Sequence, residues 1–282
     1  MDTTDFQHRL TNNNTPTLVM GILNVTPDSF SDGGHFLDTK IAVNHALRMA
    51  DQGADIIDIG GESTRPGSDP VSINNELARV IPVIEGIRDE STIPISIDTY
   101  KSLVARKALE AGANIINDIS GLNFDPEMVN IVRNHKAPIV IMHIKGTPEN
   151  MQVNPQYDDL IQEVIDYFQK QINLCRDNGV QKSKIILDPG IGFGKKLNDN
   201  FILIRELKRF TELGYPILIG PSRKSFIGLT LDVPSEDRLE GTLAAVSACI
   251  LNGASIVRVH DVKEVKRAVI ITDKIMEAGT QA

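Results

Sequence analysis

The chain has 282 residues, 41% of them apolar and 23% charged, with a net charge of −8 at pH 7. A chain of that length and composition buries a large core without staples, which excludes disordered, collagen-like and disulfide-scaffold classes. The acidic balance argues against nucleic-acid binding through the bulk field, although a local basic cluster can still hold a phosphate.

Residues 1–17, MDTTDFQHRLTNNNTPT, are polar and contain no apolar h-region. They read as an extension ahead of a folded part at 18–278, with no signal peptide. No apolar run approaches the roughly 18 residues of a membrane span. Cys175 and Cys249 belong to no metal spacing and read as reduced core residues. The expected setting is therefore the cytoplasm.

From there on, short runs rich in Ile, Val and Leu alternate with longer helical patterns. The runs fall at 18–23, 56–59, 93–97, 114–117, 138–142, 184–187, 217–219 and 255–259. They show no strict alternation, as expected of parallel strands buried on both faces. A helix is expected over 101–111, punctuated by Gly112. Another is expected over 155–178, where Ile161, Val164, Ile165, Phe168, Ile172 and Cys175 form one face, with Pro155 near its start and Gly179 just past its end. A helix, then Gly-Ala, then a strand recurs at Gly53, Gly112 and Gly253. Eight βα units without a linker point to a single-domain α/β fold, a (β/α)8 TIM barrel. The alternative is a doubly wound open sheet, because periodicity does not reveal closure.

In a barrel the functional site gathers at the C-terminal ends of the strands. There the sequence places Asn24, the run 60–65, Asp98, Asn117 with Asp118, His143, Asp188, Ser222 to Lys224, and Arg258 with His260. A single buried polar residue is more often a satisfied structural group. Eight at equivalent positions imply a shared site. Asp98, Asn117 and Asp188 suit the N–H edge of a flat heterocycle, since carboxylates accept such bonds strongly. Lys224, Arg258 and His260 suit a phosphate on strands seven and eight. The loops 24–35 and 60–67, rich in Gly, Pro and hydroxyls, have the composition of lids. Asn24 offers one neutral oxygen to a magnesium ion shared with a pyrophosphate. The run 190–196 is glycine-rich but is neither GxGxxG nor a Walker A loop. His45 reads as structural, and His8, His35 and His135 show no metal spacing.

Residues 20–34, MGILNVTPDSFSDGG, resemble the N-terminal signature of the dihydropteroate synthases, and 58–67, DIGGESTRPG, resemble their second signature. Shorter matches follow in order: IDT at 97–99, INDISG at 116–121, MH at 142–143, DPGIGFGK at 188–195, GPSRKSF at 220–226 and RVHD at 258–261. The resemblance implies a barrel enzyme of folate biosynthesis. It condenses 6-hydroxymethyl-7,8-dihydropterin pyrophosphate with 4-aminobenzoate, needs Mg2+, is a sulfonamide target and forms a homodimer. It also implies a pterin contact for Asp98, Asn117, Met142, Asp188, Phe193 and Lys224. Thr64, Pro66, Phe193 and Ser225 would frame the aminobenzoate. Asn24, Thr64, Arg65, Arg258 and His260 would hold pyrophosphate, Asn24 also the metal, and Asp98, Lys224, Arg258 and His260 would carry catalysis. Two other readings share the acidic pterin wall: a methyltetrahydrofolate-binding methyltransferase, which has no need of the first loop or of Arg258 and His260, and an inactive barrel subunit.

Overall fold

The computed structural model describes residues 15–26, 34–64 and 67–278, and for 34–38 the backbone alone. Residues 1–14 of the polar extension and the middle of the first glycine-rich loop lie outside these. Eight strands run in chain order: β1 (Leu18–Asn24), β2 (Ile56–Gly60), β3 (Ile95–Asp98), β4 (Ile115–Asp118), β5 (Ile139–Met142), β6 (Ile185–Asp188), β7 (Leu218–Ile219) and β8 (Ile256–Val259). All pair in parallel, in the order β6-β5-β4-β3-β2-β1-β8-β7. A parallel bridge between Leu187 and Ile217 joins the two edges, so the sheet closes into the barrel and the open-sheet alternative falls.

The major helices are α1 (Gly34–Asp51), α2 (Ile73–Glu90), α3 (Ser102–Glu110), α4 (Met128–His135), α5 (Leu160–Asp177), α6 (Leu197–Arg205), α7 (Lys208–Thr211), α8 (Ser225–Leu231), α9 (Leu239–Leu251) and α10 (Val262–Glu277). The expected helix over 155–178 starts later than its pattern. Asp159 caps it by accepting the Gln162 N–H at 3.0 Å, and Pro155 lies in the preceding loop. A carboxylate that satisfies an orphan N–H marks the start more sharply than a proline four residues earlier. Likewise Gly34 and His35, read as loop, already belong to α1.

The recurrent Gly-Ala phrase has one geometry. Gly53, Gly112 and Gly253 take φ of 102°, 114° and 100°. The next residue's N–H reaches back five residues: Ala54 to Met49, Ala113 to Ala108, Ala254 to Cys249, at 2.8–3.0 Å. This Schellman closure needs a residue of positive φ, which only glycine takes without strain. It turns each helix straight into a buried strand.

Both faces of the strands are apolar, but they serve two cores. Val19, Ile57, Ile97, Ile116, Ile141, Leu187 and Val257 face the helices. Leu18, Met20, Ile56, Ile115, Val140, Ile186, Leu218 and Ile256 fill the barrel as a separate buried layer. Successive side chains on a strand point to opposite sides, so the residue two further on points inward one layer higher. That residue is Asp58, Asn117, Met142, Asp188, Gly220 or Arg258. The polar layer of the site therefore rests on an apolar floor.

Candidate active site

Asp98, Asn117, Met142, Asp188, Lys224 and Arg258 line one cavity at the C-terminal mouth of the barrel, with Thr64 and Phe193 contributed by loops. β3, β4, β5, β6 and β8 each supply one side chain, and Lys224 follows β7. Asp98 and Asn117 are register partners across β3 and β4, and Met142 and Asp188 across β5 and β6. Neighbouring strands thus present adjacent groups to one ligand face.

Arg258 is the centre of the charged network. Its Nε donates to Asp58 Oδ2 at 2.6 Å and its Nη2 to Asp98 Oδ2 at 2.7 Å. Asn117 Nδ2 donates to the same Asp58 oxygen at 3.1 Å. The sequence reading set acidic residues apart from basic ones, but here they interlock. The reason is reach: a guanidinium stem spans the narrow barrel from β8 to β2 and β3. Asp58 is fully buried, and among the described residues its Oδ1 has no hydrogen-bond partner. Burial pushes the Asp98 carboxyl up, the Arg258 charge pulls it down, and Asp58 pushes it up again. The sequence reading did not single out Asp58. The signal was present, because Asp58 stands two residues after Ile56 just as Asn117 stands two after Ile115.

On the opposite wall, burial raises Asp188 to about 6, against the Gly190 N–H that its Oδ1 accepts at 2.7 Å and against the Lys224 charge. Burial and the Arg258 charge lower Lys224 to about 8. Its Nζ sits 4.1 Å from the centre of the Phe193 ring. The turn before it settles which basic side chain faces the cavity. Arg223 has φ of 55° and turns away, its Nε donating to Asp261 at 2.9 Å.

Several residues named from the sequence are elsewhere. Met142 points inward, so His143 turns outward and lies buried against Tyr157 and Tyr167. Asn117 points inward, so Asp118 turns outward, where it accepts the N–H groups of Ser120 and Leu122 at 2.8 Å and shapes the next turn. His260 follows directly after the last residue of β8, two positions beyond Arg258. The Ser222 hydroxyl lies 3.0 Å from its Nδ1 and accepts its backbone N–H at 3.2 Å. Burial and the Arg258 charge lower His260 to about 3, so the imidazole is neutral at pH 7. Asn24 is half-buried at the end of β1, and Ser225 is exposed at the start of α8. The described cavity wall includes neither of these two, nor His260. Arg65 and Pro66 lie outside the described residues. His45 is half-buried in α1, and burial lowers its pKa, in keeping with a structural histidine. Among the described residues, no three His, Cys, Asp or Glu side chains gather to hold a metal.

The base of the second loop is tied down separately. Lys101 donates to Glu62, to Glu76 and to the Val71 carbonyl at 2.7 Å. Tyr100 adds a hydrogen bond from its hydroxyl to Glu62 Oε1 at 2.8 Å. Thr64 is therefore two residues from a fixed anchor.

The chain is similar to known proteins over most of its length. The family model described as pterin binding enzyme matches residues 20–260. A dihydropteroate synthase of Synechocystis sp. is 52% identical over 260 residues, covering 92% of this chain and 90% of that one. A solved dihydropteroate synthase of Yersinia pestis in complex with a sulfonamide drug superposes with a TM-score of 0.89 at 44% identity, covering 94% of this chain and 96% of that one. A dihydropteroate synthase of Xanthomonas albilineans, solved with 4-aminobenzoic acid, has a TM-score of 0.88 at 43% identity, with 93% and 94% covered.

Proposed function

The chain belongs to the dihydropteroate synthases of the pterin-binding enzyme family, and we propose that it carries out their condensation of 6-hydroxymethyl-7,8-dihydropterin pyrophosphate with 4-aminobenzoate. The products are 7,8-dihydropteroate and pyrophosphate. One observation carries the reading: a single cavity at the barrel mouth is lined by Asp98, Asn117 and Asp188 together with the donors Lys224 and Arg258.

Asp98, Asn117 and Asp188 take the N–H edge of the pterin, Met142 and Phe193 pack on its ring, and Lys224 donates to its acceptor atoms. Cleavage of the C–O bond to pyrophosphate leaves positive charge on the pterin methylene. The buried carboxylates of Asp98 and Asp188 favour that charge in a low-dielectric cavity. Arg258 and His260 face the departing anion. With the Ser222 hydroxyl donating to its Nδ1, neutral His260 would present an N–H donor at Nε2. The amine of 4-aminobenzoate, framed by Thr64, Pro66, Phe193 and Ser225, then attacks the methylene. Asn24, Thr64 and Arg65 complete the pyrophosphate side.

Magnesium fits this donor set, because Mg2+ takes few protein oxygens when a substrate supplies phosphate oxygens and water completes its shell. Asn24, with one amide oxygen at the end of β1, would hold it. The ion would add positive charge beside the leaving pyrophosphate. Leu251 on α9 and Ile270, Ile271 and Ile275 on the adjacent α10 are exposed apolar side chains, which support a homodimer across these helices. No helix among the described residues is long and apolar enough to cross a membrane. The free, buried Cys175 and Cys249 go with a cytoplasmic setting.

The test is formation of dihydropteroate from the pterin pyrophosphate and labelled 4-aminobenzoate. Product that depends on Mg2+ is expected, with sulfonamides competing against 4-aminobenzoate. Binding of the pterin pyrophosphate without product would turn the reading toward an inactive barrel.

A further inference from the structure

The glycine-rich run after β6 matches no phosphate-binding motif, yet its placement is tightly specified. Gly190, Gly192 and Gly194 take φ of 71°, 81° and 64°. A Cβ on Gly190 would collide with the His143 carbonyl, and one on Gly194 with the Lys145 carbonyl. The turn therefore lies directly on the backbone that leaves β5. Its remaining polar groups are held from three sides. Gln152 donates to the Gly192 carbonyl at 2.6 Å, Tyr157 to the Gly194 carbonyl at 2.7 Å, and the Gly192 N–H to Asn200 Oδ1 at 2.7 Å.

Beneath the turn lies Lys195, only 3% exposed. Its Nζ donates to the His143 carbonyl at 3.0 Å and lies 2.7 Å from His143 Nδ1. Among the described residues it forms no ion pair. His143 is itself buried, and burial with the neighbouring Lys195 lowers its pKa, so the two side chains share a hydrogen bond at Nδ1 inside the protein. The His143 N–H in turn donates to the Asp188 carbonyl at 2.9 Å. Burial holds the Lys195 amine well below the ordinary lysine pKa, so a polar head there is costly to folding, and a methionine of similar length would pack without that cost. Stability alone does not account for it.

We propose that Lys195 is a positioning residue, whose buried amine clamps the Gly190–Gly194 turn to the end of β5 and so sets the wall that Asp188 and Phe193 present to the pterin. The proposal rests on the pterin-binding role assigned to that wall. Asp188 is held from below by its Gly190 N–H and Phe193 from above by the turn's apex, so loss of the clamp loosens both. Ring binding suffers before chain stability does.

The experiment compares Lys195→Met, Lys195→Gln and, as a control on the neighbouring exposed lysine, Lys196→Gln. Affinity for the pterin pyrophosphate is measured by calorimetry, the steady-state constants for both substrates are determined, and each variant is melted. Lys195→Met is expected to weaken pterin pyrophosphate binding about tenfold or more with no fall in melting temperature. Lys195→Gln, which keeps a donor for the His143 carbonyl, recovers part of the loss, and Lys196→Gln behaves as wild type. Should the methionine variant not fold, the glutamine variant carries the test with the same expectation of weakened binding. Wild-type affinity in Lys195→Met overturns the proposal, as does a loss that merely follows a lowered melting temperature. A wild-type protein that neither bound the pterin pyrophosphate nor formed dihydropteroate would overturn the functional reading beneath it, and the proposal with it.

Discussion

Two clusters in this barrel have the same charge count: one cation between two carboxylates. Arg258 lies between Asp58 and Asp98 inside the mouth, and Lys101 between Glu62 and Glu76 beside it. They differ in what remains unspent. An ammonium has three donors, and Lys101 uses them on Glu62, Glu76 and the Val71 carbonyl. A guanidinium has five, and Arg258 commits two to its carboxylates while lining the cavity. Spare donors, not charge, separate a group that can meet a ligand from one that ties a loop down.

The largest effect is expected at Arg258. Arg258→Met leaves two buried carboxylates without their cation and removes the donor facing the anion. Activity should fall by about 10²–10³-fold, and stability should drop by about 3 kcal/mol in a denaturant melt. Lys101→Met sharpens the contrast. It should cost a similar amount of stability, about 3 kcal/mol, while kcat at saturating substrate stays within about tenfold of wild type. Equal losses of kcat in the two variants would break the comparison.

The pH profile of kcat/KM reads the same site more gently. Asp98 and Asp188, raised by burial to about 7 and about 6, must be ionised to accept from the pterin, so activity falls as pH drops through those values. Lys224, lowered to about 8, must be protonated to donate, so activity falls again as pH rises past it. The expected profile is a bell between these limits, and Lys224→Met should abolish the alkaline limb. The smallest effect is expected for Ser222→Ala, which frees the ring of His260. The KM for the pyrophosphate substrate should rise by about tenfold, the equivalent of one hydrogen bond to an oriented group, with kcat little changed. An unchanged KM would remove His260 from the pyrophosphate side.

Much of this was legible in the chain. The eight strands were visible because a parallel sheet covered on both sides must be apolar throughout. Asp98, Asn117, Met142, Asp188, Phe193, Lys224 and Arg258 were identified by their motifs, and all seven line one cavity. The same continuous hydrophobicity concealed which residues point inward. Ile56, Ile57 and Ile59 look alike in sequence, though Ile56 fills the barrel and the other two face helices. For that reason Asp58 stands out in the sequence only as the first residue of a signature, without a role, and the strands turn His143 and Asp118 away from the mouth where the sequence places them.

The sequence by itself determined the repeating βα unit, its glycine-closed helix ends and the chemistry available at each strand end, because these depend on local backbone preference and residue type. Only the tertiary structure decided the closure between β6 and β7, the inward face of each strand and the pairing of Arg258 with Asp58 and Asp98. Those depend on contacts between residues up to 200 positions apart in the chain, where register and reach, not local pattern, select the partner.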